Sequence, residues 1–392
     1  MTRDRADMDR ENSPKAPPAF SRRQDVAASR NERVLLDLIQ RRGIVGRAEL
    51  AREVDLTIQS VSRLVDGLAA RGLVRFGAKI SARGNPSGGF GVELAPDGAF
   101  TLGVSIMTDA LSLVLMDFRG EVLETHYEPQ ADVRAEPMLA RIVAIAEGMV
   151  DRRVPDRSRL LGAGVAVTGY FVEDGRRLNP PTPLDDFALV DLPSLLSRRL
   201  GMDVIIENDA GAAAVAESFF GAGRRYSDFA YVHFAAGVGG GVIINGRLLG
   251  GAHGNAGEVA GVIPMEMFES RPTLDLLLRM VREAGVDVAS IADLVAGYDP
   301  DMPGVEAWVE RVRRPLDMII SSLGAVLDPQ AIVLGGRLPT ALAERLIPGI
   351  TPFASPRRGA PRPLPPVIPA EVLVEPTAIG AAVLPLKAHF FN

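Results

Sequence analysis

Apolar side chains first fall into register near residue 34, where Val34, Leu35, Leu38 and Ile39 recur at the spacing of a helix with one buried face. Asn31 is placed to cap that helix and Gly43 to stop it. A second, short helix is predicted over Arg47–Glu53, burying Leu50 beside Ala48 and Ala51. Val54-Asp55-Leu56 then makes a turn, and Thr57 caps a third helix whose Val61, Leu64, Val65 and Leu68 form an inward stripe. Gly72 ends it, and residues 73–96 predict two short strands around a polar, glycine-rich, basic loop. From Phe100 the pattern changes. Two apolar runs around Thr108-Asp109 predict a hairpin. Helices over 138–150 and 210–219 alternate with strands over 161–167, 204–207 and 229–235. Apolar helices over Leu274–Glu283 and 307–327, a strand over 331–334, and a last strand and helix complete the chain. Such alternation predicts an α/β core. Residues 1–30 mix charge with Pro and Ser, show no apolar period and read as a disordered tail.

Composition narrows the classes. At 392 residues the chain exceeds one ordinary core, so a tail (1–30), a small domain (31–95) and a large one (96–392) are expected. No apolar run reaches membrane-spanning length, and the N-terminal segment lacks the apolar stretch of a secretory signal, so a cytoplasmic protein with no membrane partner is expected. Without cysteine there is no disulfide, thiolate catalysis or Cys-ligated zinc, and the four histidines (His126, His233, His253, His389) show no metal-ligand spacing. No metal and no cofactor are expected. Net charge is +2 over residues 1–30 and +3 over 31–94; the whole chain carries −6, which leaves −11 for the remainder. A mildly basic front on an acidic body suits a DNA-binding head, or is a chance fluctuation.

The outer face of the third predicted helix carries Gln59, Ser60, Ser62 and Arg63 behind Thr57. Short polar and fork-shaped donors of this kind approach base edges in a major groove, or simply form a solvated helix face. Three helices of these lengths followed by a basic loop favour DNA. This region resembles the winged helix-turn-helix at the front of many bacterial repressors, with Arg83 in the wing as a further contact.

Residues 237–258 are rich in glycine, but Gly237 and Gly239, Gly240 and Gly241 lead into an apolar run and an Asn245-Gly246 turn. That is a hairpin signature rather than a dinucleotide-binding loop. Glycines there either let backbone amides approach phosphate or sugar oxygens, or serve the turn alone. Together with Glu207-Asn208-Asp209-Ala210, the run from Asp328 to Gly336 and Ala378-Ile379-Gly380-Ala381-Ala382, this stretch resembles the ROK family (repressors, open reading frames and sugar kinases). The resemblance implies a two-lobed actin-like ATPase fold from about residue 100 to the end, with the winged helix of the family's repressor branch. It implies that Asp209 stands where kinases of the family deprotonate the attacked sugar hydroxyl, that Asn208 and Glu258 hold other hydroxyls, and that Gly169 and Asn179 add sugar-side contacts. From the residues alone, Asp209 is also a helix N-cap, and the two roles are compatible.

Departures from the family pattern weigh as much. Its first phosphate loop, Gly-Val-Asp-Ile-Gly-Gly-Thr, here reads Gly103-Val104-Ser105-Ile106-Met107-Thr108-Asp109, and position 236 of the second is an alanine. Phosphoryl transfer is mostly positioning and charge neutralisation, so these losses argue against kinase activity. The family's zinc motif is lost too: Gly261 replaces its histidine, and Glu266, Phe268 and Thr273 fall at the cysteine positions when Leu274-Asp275 is aligned with the family's Leu-Glu. Asp275 is then one more effector-facing carboxylate. The resulting expectation is a DNA-binding regulator, by default a repressor of carbohydrate uptake or catabolism genes, working as a homo-oligomer (dimer or tetramer). Its non-catalytic ROK domain senses a sugar or sugar derivative. An active ATP-dependent sugar kinase, or a DNA-binding dimer without a ligand, are the alternatives.

Overall fold

Ser29, two residues ahead of the cap expected from periodicity, opens the first helix. The computed structural model describes residues 27–79, 89–130, 132–172, 175–353, 356, 358–360 and 362–392. Ser29 N donates to Glu32 Oε2 at 2.7 Å and Glu32 N donates to Ser29 Oγ at 3.4 Å, a reciprocal box that satisfies two otherwise orphaned amides. Asn31 has no such partner three residues on. Helix α1 (Arg30–Arg42) stops at Gly43, whose φ of +80° suits glycine. Helices α2 (Arg47–Glu53) and α3 (Ile58–Ala70) follow, the latter capped by Thr57. Val61, Val65 and Leu68 are buried and Leu64 packs at the edge of the same cluster. Strands β1 (Val74–Lys79) and β2 (Phe90–Leu94) pair antiparallel as the wing, and Val45 bridges to Val92. The described chain already belongs to the fold at Ala28, which is buried and donates its N–H to His389 O at 2.8 Å.

Two five-stranded sheets make up the rest, and both follow one plan. The first contains β3 (Phe100–Ile106), β4 (Ala110–Asp117) and β5 (Val122–Pro129), an antiparallel meander. Helix α4 (Ala135–Arg153) leads to β6 (Leu160–Val167), and a small hairpin, β7 (Tyr170–Val172) and β8 (Arg177–Asn179), precedes α5 (Leu192–Leu200) and β9 (Val204–Asn208). Strand order is β5-β4-β3-β6-β9, with β6 and β9 parallel to β3. Helix α6 (Asp209–Phe220) crosses to the second sheet, built from β10 (Phe229–Phe234), β11 (Val238–Ile244) and β12 (Arg247–Leu248). Helices α7 (Leu274–Glu283), α8 (Ile291–Ala296) and α9 (Val305–Leu327) follow, then β13 (Ala331–Gly336), α10 (Thr340–Leu346), β14 (Val367–Pro369) and α11 (Pro376–His389). The order β12-β11-β10-β13-β14 repeats the first sheet.

The glycine run is not a turn. Gly239, Gly240 and Gly241 lie inside β11, paired with His233, Val232 and Tyr231. A Cβ on Gly241 would meet Ala214 Cβ at 2.5 Å, and one on Gly240 would meet Gly257 O at 2.8 Å. These glycines let helix α6 and the following loop press onto the strand. The expected turn is at Asn245-Gly246, with φ of +51° and +73°.

Between the sheets, α11 packs on β3 and β6, α6 packs on β10 and β11, and the two helices press against each other. Their small residues make this possible. A Cβ on Gly103 would lie 2.0 Å from Ala378 O, one on Gly164 1.9 Å from Ala381 O, and one on Gly380 1.7 Å from Ala212 O. At its far end α11 joins the N-terminal helices in one apolar cluster, where Phe118, Phe219, Phe390 and Phe391 meet edge-on or tilted. Gly380→Ala is therefore expected to cost about 3 kcal/mol or more, because overpacking against backbone has no rotamer escape. Gly67→Ala, mid-helix with nothing within 4 Å, should instead gain about 0.5–1 kcal/mol. Thermal melts of the two variants check the pair; a Gly380→Ala protein as stable as wild type would contradict the close packing.

Candidate functional site

The loops at the ends of β6, β9, β10 and β11 enclose a cleft of about 870 Å³ between the two sheets. Asn208 ends β9 and is the N-cap of α6: its Oδ1 accepts from Ala210 N at 2.8 Å and Gly211 N at 3.3 Å, while its Nδ2 donates to Gly169 O. Asn208, not Asp209, therefore caps the helix. Asp209 is the buried first residue of α6, where Oδ1 accepts from Ala210 N at 2.8 Å and Oδ2 from Thr168 Oγ1 at 2.7 Å. A carboxylate at a helix N-terminus with a hydroxyl partner stays ordered and keeps lone pairs for a ligand. Gly169 has φ +143°, and any side chain there would collide with Asn179 O and Pro180 Cα at 2.8 Å. The Asn179 loop is thereby brought against the end of β6, with Asn179 Nδ2 donating to Tyr170 Oη at 2.6 Å.

On the opposite wall stand Glu258, Asp275 and Arg271. Desolvation, then the Asp209 charge, raises the pKa of Glu258, although the side chain opens onto the cleft. Asp275 is exposed in the first turn of α7, next to the Thr273 cap. Gly169, Asn179, Asn208, Asp209, Glu258 and Asp275 thus all line one cleft. The chain adds others: Thr168, Thr273, Arg271 stacked 3.5 Å over the Phe268 ring, and the buried His233. Burial pushes the His233 imidazole pKa down against the Asp209 charge, and its Nδ1 has no hydrogen-bond partner among the described residues. Behind the cleft, desolvation raises the Glu207 carboxyl pKa to about 7.

The side of the cleft where the family's first phosphate loop falls is closed, whereas Ala235, Ala236 and Gly237 of the second also line the open cleft. Ser105 is buried within β3, and Met107, Thr108 and Asp109 form the turn beyond it. Asp109 accepts two hydrogen bonds of 2.9 Å from Arg337, which follows β13 in the other lobe. The space among Met107, Asp109, Ala236, Arg337 and Thr377 is about 20 Å³, room for one water. These residues do not fit a metal–nucleotide. Nor do those at the family's zinc positions fit zinc: Gly261 has no side chain, Phe268 lies under Arg271, and Thr273 Oγ1 accepts from Leu276 N at 3.1 Å. Among the described residues no group of three or more His, Asp or Glu is arranged to hold a metal.

A second surface lies at the N-terminal end of the chain. On α3, Gln59 and Arg63 are exposed and engage no ion pair or side-chain hydrogen bond among the described residues. Thr57 and Ser60 are exposed but largely satisfy each other: their hydroxyls are 2.9 Å apart and Thr57 Oγ1 accepts from Ser60 N at 3.2 Å. Ser62 is half-buried on the flank, and Arg83 lies outside the described residues. Arg47 ties this surface together, pairing with Asp66 of α3 at 2.6 Å and lying 5.0 Å over the Phe76 ring of the wing. Exposed Arg52, in the last turn of α2, was not singled out by the periodicity and adds a cation. A basic residue one turn before the third helix was its only sequence signal. Arg337 and His233 had none, since the charged groups they face, Asp109 and Asp209, are remote in the chain.

Comparison with known proteins agrees with this architecture. The profile of the ROK family matches residues 101–388. An uncharacterised protein of Sinorhizobium fredii, y4fQ, is 32% identical over 93% of this chain and 92% of its own length. A putative xylose repressor of a Caldicellulosiruptor species is 26% identical over 78% of this chain and 83% of its own. Among solved structures, a ROK family transcriptional regulator described as a homologue of the Escherichia coli MLC protein superposes with a TM-score of 0.67 at 20% identity, covering 92% of this chain and 96% of that one. An N-terminal helical region with its hairpin, followed by two sheets of one plan, is thus shared along nearly the whole length. The chain belongs to the ROK family.

Proposed function

We propose that this protein is a DNA-binding transcription regulator, acting as a repressor of carbohydrate uptake or catabolism genes. Residues 31–95 form its DNA-binding domain, and residues 96–392 a ROK domain that senses a sugar or sugar derivative without phosphorylating it. One observation carries the reading. An exposed helix bearing an unengaged Gln59 and Arg63 sits on the same chain as a carboxylate-lined cleft whose phosphate side is filled by Asp109 and Arg337. The repressor name of the Caldicellulosiruptor relative supports the same function. Sugar hydroxyls suit the cleft, because Asp209 and Glu258 offer acceptors while Asn179 Nδ2 keeps a second hydrogen to donate.

The regulator works in the cytoplasm as a homo-oligomer, dimer or tetramer, since palindromic operators match two-fold protein symmetry. Among the described residues no helix is long and apolar enough to cross a membrane. Effector occupancy reaches DNA through α11. Thr377, in its first turn, lines the closed side of the cleft, and the carbonyls at its other end are held by Arg33 of α1.

Arg63→Ala is expected to weaken operator binding about tenfold or more, and Gln59→Ala to change base preference, as for loss of a bidentate base contact. Fluorescence anisotropy on selected duplexes checks both; unchanged affinity and preference in the two variants would take α3 out of the groove. A separate expectation concerns the cleft. Asp209→Ala and Glu258→Ala should leave DNA affinity nearly intact but weaken the response to sugar about tenfold, the loss of a charge-assisted hydrogen bond. Operator binding titrated against a sugar panel measures this, and wild-type response in both variants would move the pocket elsewhere. With the same panel and ATP, no ADP is expected; sustained ADP formation would establish the kinase alternative instead.

A further inference from the structure

Large apolar side chains left in water on this protein include Met265 and Val326, which are 78% and 81% exposed, so exposure alone singles nothing out. Position does so for Ile58. It is the first residue of α3 and 59% exposed, directly after the Thr57 cap. It contributes to no apolar cluster of the fold, whereas Val61, Val65 and Leu68 of the same helix are fully buried. Its neighbours on the leading turn are Gln59 and the self-satisfied hydroxyl pair of Thr57 and Ser60, with Arg63 one turn further on. The first turn of the helix therefore presents one exposed branched apolar side chain next to one amide in sequence, and the guanidinium follows in the next turn.

A recognition helix enters the major groove N-terminus first, and there only one base carries an exposed apolar group, the C5-methyl of thymine. The surroundings suit a polyanion. Arg52 and Arg63 are exposed without an ion-pair partner among the described residues, and Lys79 of the wing lies over the Phe90 ring at 5.7 Å, leaving its charge outward. We propose that Ile58 is a base-reading residue that selects thymine by packing on its C5-methyl. This rests on the DNA-binding reading above and adds to it the base that the apolar side chain reads. Gln59 and Arg63 read hydrogen-bonding edges; Ile58 reads the methyl, and the hydroxyls of Thr57 and Ser60 hold the helix end rather than a base.

The test uses the full-length protein and duplexes recovered from a random pool by repeated binding selection. Each thymine of the selected site is then replaced singly by deoxyuridine, which removes the methyl and leaves every hydrogen-bonding group in place. The expected result is one thymine per half-site at which uracil weakens wild-type binding about fourfold, the burial of one methyl-sized group. Ile58→Ala should bind the thymine and uracil duplexes equally, and Ile58→Val should retain part of the difference. Because Ile58 is exposed, both variants should melt with the wild type, which separates reading from folding. A wild type indifferent to uracil at every position, or an Ile58→Ala protein that keeps the full difference, would overturn the proposal while leaving DNA binding standing. Failure to recover any preferred duplex would overturn the DNA-binding reading and this one with it.

Discussion

Three contacts of glycine with backbone carbonyl govern the large part of the molecule. Where Gly103 and Gly164 meet α11, and where Gly380 meets α6, no atom beyond Cα has room. Helix α11 is therefore seated directly on the backbone of the first sheet, and α6 directly on α11. Dense interiors transmit displacement because they have little void to absorb it. Everything attached to these helices inherits their position. Asp209 begins α6, Thr377 lies in the first turn of α11, and both line the same small space beside the cleft. Polar chemistry in the cleft is placed by apolar contacts below it.

On the closed side of the cleft an ion pair occupies space beside the turn at residues 107–109. In the family pattern a carboxylate and two glycines accommodate metal and phosphate; here Ser105, Met107 and Thr108 stand in that loop. Asp109 alone would be an unpaired charge, and so would Arg337. Paired at 2.9 Å across the lobes, with side-chain exposures of 28% and 16%, they neutralise one another and fill the space. Such a half-buried pair contributes little net stability against an apolar filling, but removing one member leaves the other's charge stranded. The pair also spans the two lobes, so the chain's own charges tie them together at this point.

Local patterns were legible where local physics decides. The stripe of α3, the stops at Gly43 and Gly72 and the Asn245-Gly246 turn follow from side-chain period and positive φ, and the structure has them. Caps were less legible, because two adjacent residues often compete. Glu32 decides for Ser29 over Asn31 by reaching back to its amide, and Gly169 decides for Asn208 over Asp209 by taking the amide nitrogen. The hairpin at Gly239–Gly240–Gly241 was legible, but the reason for its glycines was not, because it is α6 lying across the strand, a contact invisible in the run itself. The cleft carboxylates were visible only through family resemblance. His233, Arg271 and Arg337 carried no motif; Arg337 meets a partner 228 residues away.

The same packing explains how the N-terminal helices are held. Arg33 of α1 donates to Phe391 O at 2.6 Å just beyond α11, and to two carbonyls of its last turn, Lys387 O at 2.8 Å and Ala388 O at 2.7 Å. Those carbonyls have no helical partner and carry the negative end of the helix dipole, so a guanidinium is the side chain best suited to hold them. Asp37, one turn along α1, accepts from the backbone amide of Asn392 at 3.2 Å. Desolvation pushes Lys387 down to about 8 in this corner, while the Asp37 charge opposes that shift. A helix of 14 residues is about 21 Å long. One end of α11 thus sits beside the closed side of the cleft and the other is grasped by the helix that precedes α2 and α3. With backbone contact along its length, α11 moves as a unit or not at all, and any movement carries the acceptors of Arg33 with it.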